Sequence, residues 1–196
     1  MKLSAWALLV LAGLSTGAGA QAPAAARAER EPLMADVPNA CAYLTERLAS
    51  EWLRAPVTAS AANEHIPTFS SQCAWSGRGV RNRHAGFVFK YMVWEMFDVE
   101  GLPPEQIKFN VSFAVGNLPL VQTLPEPGKG AFVFHSRDAT VLLVVTGFRG
   151  PPDGAKRPQA FVATYRLSDP QTAHDLRLAK LMEQAQRHVR EWRGRP

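Results

Sequence analysis

The chain has 196 residues, 46% of them apolar and 20% charged, and 22 lysines and arginines against 17 acids give a formal net charge of +5. That length suits one domain with a sizeable core and leaves little room for a second. The charge is only mildly basic, and no segment beyond the N-terminus approaches about 18 uninterrupted apolar residues, so an integral membrane span is not expected.

Residues 1–20 have the three parts of a secretory signal: the basic Lys2, the apolar run LSAWALLVLAGL, and small residues ending in AGA. Ala18 and Ala20 stand at the spacing a signal peptidase reads, which predicts cleavage after Ala20 and a periplasmic or extracellular address. No cysteine sits at the cleavage position to carry a lipid. Residues 21–36 are rich in alanine and charge without a usable apolar face and read as a flexible leader. Residues 37–196 are the expected single α+β domain.

Cys41, Leu44, Leu48 and Trp52 follow at spacings of three, four and four, the apolar stripe of an amphipathic helix. Asn39 or Asp36 can cap its start, and Pro56 prevents its continuation. APVTAS is a short extended piece, followed by a polar loop holding His65. In TFSSQCAWS, residues Phe69, Ser71, Cys73 and Trp75 alternate with polar or small neighbours at the period of a half-buried strand. The basic loop after it leads to GFVFKYMVWEMF, whose aromatic and β-branched content predicts the second strand of a hairpin.

Residues 103–116 are ambiguous. Ile107, Phe109, Val111, Phe113 and Val115 alternate as a strand would, yet LPPEQ is a good helix start. Then PGKG reads as a flexible turn. AFVFH and TVLLVVTGF are two strands joined by a tight turn at SRDA, and AFVATYRL is another. Thr172 and Asp175 form a Thr-x-x-Asp capping box before a helix that carries Leu178, Leu181, Met182, Ala185, Val189 and Trp192 on one face. The sum is an antiparallel sheet of about five strands with N- and C-terminal helices packed on it.

The chain has two cysteines. Export favours one disulfide, Cys41 to Cys73, because the compartment oxidises thiols and no third cysteine competes. It would pin the first helix to the sheet and, by closing a loop of about 33 residues, contribute roughly 3 to 4 kcal/mol in the chain-entropy model. A thiol-disulfide enzyme wants a Cys-x-x-Cys pair, which is missing.

The motifs NACAYLT, SQCAWS, PGKGAFVF and TVLLVVTG, with the closing basic helix, resemble exported bacterial domains of unknown function. Actinobacterial envelope lipoproteins with a cysteine-bearing helix and a Cys-x-Trp strand are similar, and their fold is a PsbP-like α/β sandwich. The resemblance spans residues 38–192. It implies an envelope address and a helix at residues 103–114, and it implies no catalytic residues. The chain departs from the pattern in lacking the lipid-attachment cysteine.

Other motifs favour structure over chemistry. His65, His84, His135, His174 and His188 fall on five different segments without metal-site spacing and read as exposed or capping imidazoles. The HSRDA segment puts His135, Ser136 and Asp138 together, but catalytic triads converge from separate segments, and turn chemistry explains these residues. Met92, Trp94 and Met96 share a strand face as core filler, with copper(I) binding the competing reading. PGKG lacks the remaining residues of a phosphate loop.

Arg78, Arg81, Arg83 and Lys90 form a run without an acid and are the candidate contact for an anionic envelope polymer. Export makes nucleic acid an improbable partner. No cofactor is expected. The sequence therefore predicts a binding or accessory protein of the envelope, partnered by another envelope protein or an anionic polymer. A hydrolase with a site assembled only in three dimensions is the alternative.

Overall fold

The computed structural model describes residues 36–79, 83–93, 118–149 and 159–193. The segments expected as signal and leader, up to residue 35, with Arg81, Trp94, Met96 and the ambiguous stretch at 103–116, all lie outside them.

The first helix expected from the sequence is two helices. Helix α1, Ala40–Tyr43, is capped by the Asn39 side chain, which accepts from the Cys41 N–H. Helix α2, Glu46–Leu53, is capped by Thr45, whose hydroxyl accepts from the Leu48 N–H at 3.3 Å. Between them the chain leaves the helical path at Leu44, so its carbonyl is free to bond elsewhere. The apolar stripe survives the break, with Leu44 and Trp52 buried and Leu48 half-buried. Arg54 ends α2 in the left-handed region, two residues before Pro56.

The strands are β1 (Val57–Ala59), β2 (Glu64–Ile66), β3 (Ser70–Gly77), β4 (His84–Val93), β5 (Leu120–Leu124), β6 (Ala131–His135), β7 (Ala139–Arg149) and β8 (Gln159–Ser168), and helix α3 is His174–Arg193. They form one antiparallel sheet in the order β1-β3-β4-β8-β7-β6-β5, with β2 also paired to β3. Among the described residues the sheet has eight strands rather than about five. The five expected strands are β3, β4, β6, β7 and β8. The additions are short edge pieces whose extended form comes from pairing with β3 or β6 more than from their own pattern. The His65 segment, expected as a loop, is thus a strand, its three residues exposed but bonded to β3. Phe69, expected on the inward face, lies in the turn before β3 and is 60% exposed.

β8 lies between β4 and β7 and joins the β3–β4 and β6–β7 hairpins into one sheet. Phe87, Phe89 and Tyr91 of β4, Phe161 and Tyr165 of β8, and Leu142 and Val144 of β7 face the helices. Leu181, Ala185, Val189 and Trp192 of α3 pack on them, together with Leu44 and Trp52. Met92, Phe132, Phe134, Val141, Leu143, Val145 and Val162 form a second core on the opposite face. Because both faces of the central strands are buried, their sequences read as continuous apolar runs.

Two turns differ from their sequence reading. The PGKG turn follows a cis Glu126–Pro127 bond and is pinned to β7: the Lys129 N–H donates to the Val145 carbonyl, and the Val145 N–H to that of Gly130. Gly128 has φ of +79°, and a Cβ there would stand 2.3 Å from the Val145 carbonyl oxygen. Thr172, expected to cap α3, instead donates its hydroxyl to Asp169 at 2.6 Å, and the helix begins at His174. Asp169, 2% exposed and with its pKa lowered, is a charged acceptor that holds the Thr172 hydroxyl proton.

Candidate functional site

Three inward residues of β3 each hold α1. The Ser71 hydroxyl accepts from the Ala40 N–H at 2.9 Å and donates to the Glu64 carbonyl, which also ties in β2. Cys73 is disulfide-bonded to Cys41, with the two Cα atoms 5.0 Å apart. The Trp75 indole N–H donates to the Leu44 carbonyl at 2.8 Å, filling the acceptor exposed by the helix break. Alternation along β3 puts these three side chains on one face, and α1 lies across it.

The opposing wall is the C-terminal half of α3. Between it and α1 lies an open cleft of about 460 Å³, lined by Pro38, Asn39, Ala42, Tyr43, Arg187, His188 and Glu191. His188 belongs to the cleft lining but is only 3% exposed. Its Nδ1 lies 2.9 Å from the Tyr165 hydroxyl, and its ring packs against Tyr43, Phe87 and Trp192. Tyr43 accepts at its hydroxyl from the Trp192 indole N–H at 2.9 Å. Burial, helped by the nearby Arg187 charge, lowers the His188 pKa to about 3. Burial likewise raises Tyr165 well above the usual phenol value. At neutral pH both are therefore uncharged, and Arg187 and Glu191 supply the charge of the cleft.

A second polar group lies where the β6–β7 turn meets the start of α3. Arg177, 1% exposed, donates to the carbonyls of Ser136, Arg137 and Asp169 and to the Thr140 hydroxyl at 2.7–3.0 Å. The turn expected at SRDA is present: Ser136 N–H donates to the Ala139 carbonyl, and Ala139 N–H to the Ser136 hydroxyl. His135 and His174 lie against each other with ring centroids 3.8 Å apart. Burial first, then the His174 and Arg177 charges, lowers the His135 pKa. Of the five histidines, His65 is exposed as expected, while His84, His135 and His174 are half-buried and His188 is in the core. Among the described residues no three His, Cys, Asp or Glu side chains are grouped to hold a metal ion.

The basic run does not converge among its described members. Arg78 is at the end of β3, its Nε within 3.2 Å of the Val57 carbonyl and the Thr58 hydroxyl. Arg83, 8% exposed, faces the Asp169 carboxylate at 3.6 Å. Burial alone would raise the Asp169 pKa, but bonds from Thr172 and Gln171 and the Arg83 and Lys180 charges outweigh it and lower the value. Lys90 is half-buried on the sheet face away from the helices, and burial lowers its pKa.

Sequence reasoning missed Arg177, His188 and Asp169. The first two carried a signal, since each interrupts the apolar stripe of α3, four residues before Leu181 and three after Ala185. Among the described residues no helix is long and apolar enough to cross a membrane. Comparison with protein-family models, curated proteins and solved structures finds no match to this chain.

Proposed function

We propose that the chain is an exported binding or accessory protein of the bacterial envelope, acting without turnover, that receives a small ligand in the cleft between α1 and α3. The cleft itself carries the reading. It is roomy enough for a small molecule, and its two walls are held by different means, α1 by the disulfide and β3, α3 by the aromatic core. The disulfide supports an oxidising compartment. The PsbP-like layout is part of the same proposal.

The protonation chemistry supports binding over acid-base catalysis. A general base works best with a pKa near the working pH, and His188 at about 3 is a weak one. Ser136 and His135 support no hydrolase either, because the serine oxygen accepts from a turn amide and the His135 Nδ1 lies 3.4 Å from an Arg177 nitrogen.

The test is thermal unfolding in the small-molecule fraction of a periplasmic extract, with an Ala42→Trp variant as control. Ala42 is exposed, so tryptophan there fills the cleft without entering the core. A ligand at 100 times its Kd adds about 2.7 kcal/mol, or roughly 5 to 11 °C for a domain of this size. The wild type should gain that shift and the variant should not. An equal shift in both, no shift in either, or hydrolase turnover abolished by Ser136→Ala would overturn the proposal.

A further inference from the structure

Resting on the reading of the cleft as a ligand site, we propose that its occupant is a small zwitterion, of the class of a free amino acid or short peptide. Its carboxylate would meet Arg187 and its ammonium Glu191.

Arg187 and Glu191 lie one helical turn apart on α3, where four-residue spacing brings side chains into reach of each other. The same two residue types, in the same order and spacing, occur on α2. There Arg47 and Glu51 close on each other at 2.6 Å. On α3 they do not. The Arg187 guanidinium turns back to the Gln184 side chain, and among the described residues the Glu191 carboxylate makes no hydrogen bond or ion pair. Gln184 is buried in the α3 interface, and its side-chain oxygen is the acceptor that Arg187 meets. Two opposite charges are thereby kept apart along one wall of a cleft.

The rest of the lining adds no charge. His188 is neutral, and its Nδ1 is bonded to Tyr165. Tyr43 receives the Trp192 N–H at its oxygen and keeps its own proton for an acceptor on the ligand. Asn39 has its oxygen committed to the Cys41 N–H and retains its amide donors. The cleft thus presents one cation, one anion and neutral donors.

Ligand classes separate on that pattern. An uncharged saccharide would desolvate both charges and pair neither. A simple anion or cation would pair one charge and leave the other to water, and so gains half of what the wall offers. A zwitterion pairs both, and its carboxylate suits the two-pronged geometry of a guanidinium. The volume, near the lower end for ligand pockets, suits one residue or two better than a long peptide.

The experiment is calorimetric titration of the full exported chain with a set of free L-amino acids and Gly-Gly. Each amino acid is compared with its N-acetyl derivative, which lacks the ammonium, and its amide, which lacks the carboxylate. Maltose is the neutral control. The proposal expects at least one zwitterion to bind and both blocked forms to bind about tenfold more weakly or worse, the loss of one desolvated ionic contact. Glu191→Gln should bring the zwitterion to the affinity of its N-acetyl form, and Arg187→Gln to that of its amide. Both positions are exposed on the helix, and circular dichroism checks that the variants fold.

Equal binding of free and blocked forms, indifference to both substitutions, or binding of maltose alone would overturn the zwitterion. If Ala42→Trp still abolished that binding, the cleft would remain a ligand site. Binding by none of the probes would also overturn the zwitterion, and the extract experiment would then judge the cleft.

Discussion

Lowering the pH from 7 to 5 should destabilise the fold through His188. Its folded pKa of about 3 lies below the ordinary 6.5 of the unfolded chain, so unfolding takes up a proton throughout the window between them. The stabilising effect is complete above pH 6.5 and is lost as the pH falls towards 3. One pKa unit is worth 1.36 kcal/mol, and pH 5 lies about 1.5 units below the unfolded value, so the loss at pH 5 is about 2 kcal/mol. His84, whose pKa burial and Arg166 lower to about 4, adds a loss of the same sign. A His188→Gln comparison isolates the first contribution, because glutamine does not titrate and His84 remains in both chains. Urea unfolding of each protein at pH 7 and pH 5 is the assay. The wild type should lose about 2 kcal/mol more than the variant. Equal losses in the two would refute the reasoning, as would an imidazole titrating near pH 6.5 by nuclear magnetic resonance.

Three stability changes follow from the same geometry, each read by urea unfolding. Replacing Cys41 and Cys73 together by alanine should cost roughly 3 to 4 kcal/mol, and a loss below about 1 kcal/mol would show that α1 is held chiefly by Ser71 and Trp75. Trp75→Phe keeps a ring but removes the donor to the Leu44 carbonyl, for an expected loss of about 1 to 2 kcal/mol; no change would mean that water replaces the indole. Gly128→Ala should cost about 2 kcal/mol or more, because the left-handed φ and the Val145 carbonyl both oppose a Cβ. Gly79→Ala, at φ of +71° in open space, should cost only about 1 kcal/mol, and equal costs at the two glycines would contradict the clash at Val145.

What the sequence revealed, and what it hid, follows from how local each feature is. The central strands and α3 are written in their own periodicity, and the disulfide followed from there being two cysteines in a chain that reads as exported. The break at Leu44 was harder to read, because the stripe from Cys41 to Trp52 is equally consistent with one unbroken helix. Thr45 was its local sign, as a capping residue three positions before Leu48. The deciding partner was distant: the Trp75 indole offers the freed carbonyl a donor from the sheet. β2 and β5 were hidden for a similar reason, since pairing with a neighbour makes them strands, whereas β1 was legible as a short extended piece. The described members of the basic run point in different directions, which their proximity in sequence does not reveal. Arg83 turns inward to Asp169, and Lys90 lies across the sheet from the helices.

The stretch from Ser71 to Trp75 links stability to the proposed binding. Its inward side chains bond α1 at Ala40, Cys41 and Leu44, and Pro38, Asn39, Ala42 and Tyr43 of the cleft wall fall within or directly beside that short span. A four-residue helix has no stability of its own in water, so the wall exists only while β3 holds it. α3 is different: it has 20 residues and a buried stripe, and it keeps its position by packing. The cleft therefore has one wall fixed by a long buried stripe, and a short one fixed by three bonds from β3 together with the burial of Ala40 and Leu44. Reduction of the disulfide should weaken ligand binding more than its effect on global stability suggests, because it loosens the wall that carries Tyr43. Titrating one ligand into the oxidised and reduced protein, under conditions where both remain folded, measures that difference directly. Identical affinities would show that Ser71 and Trp75 alone hold α1 in place.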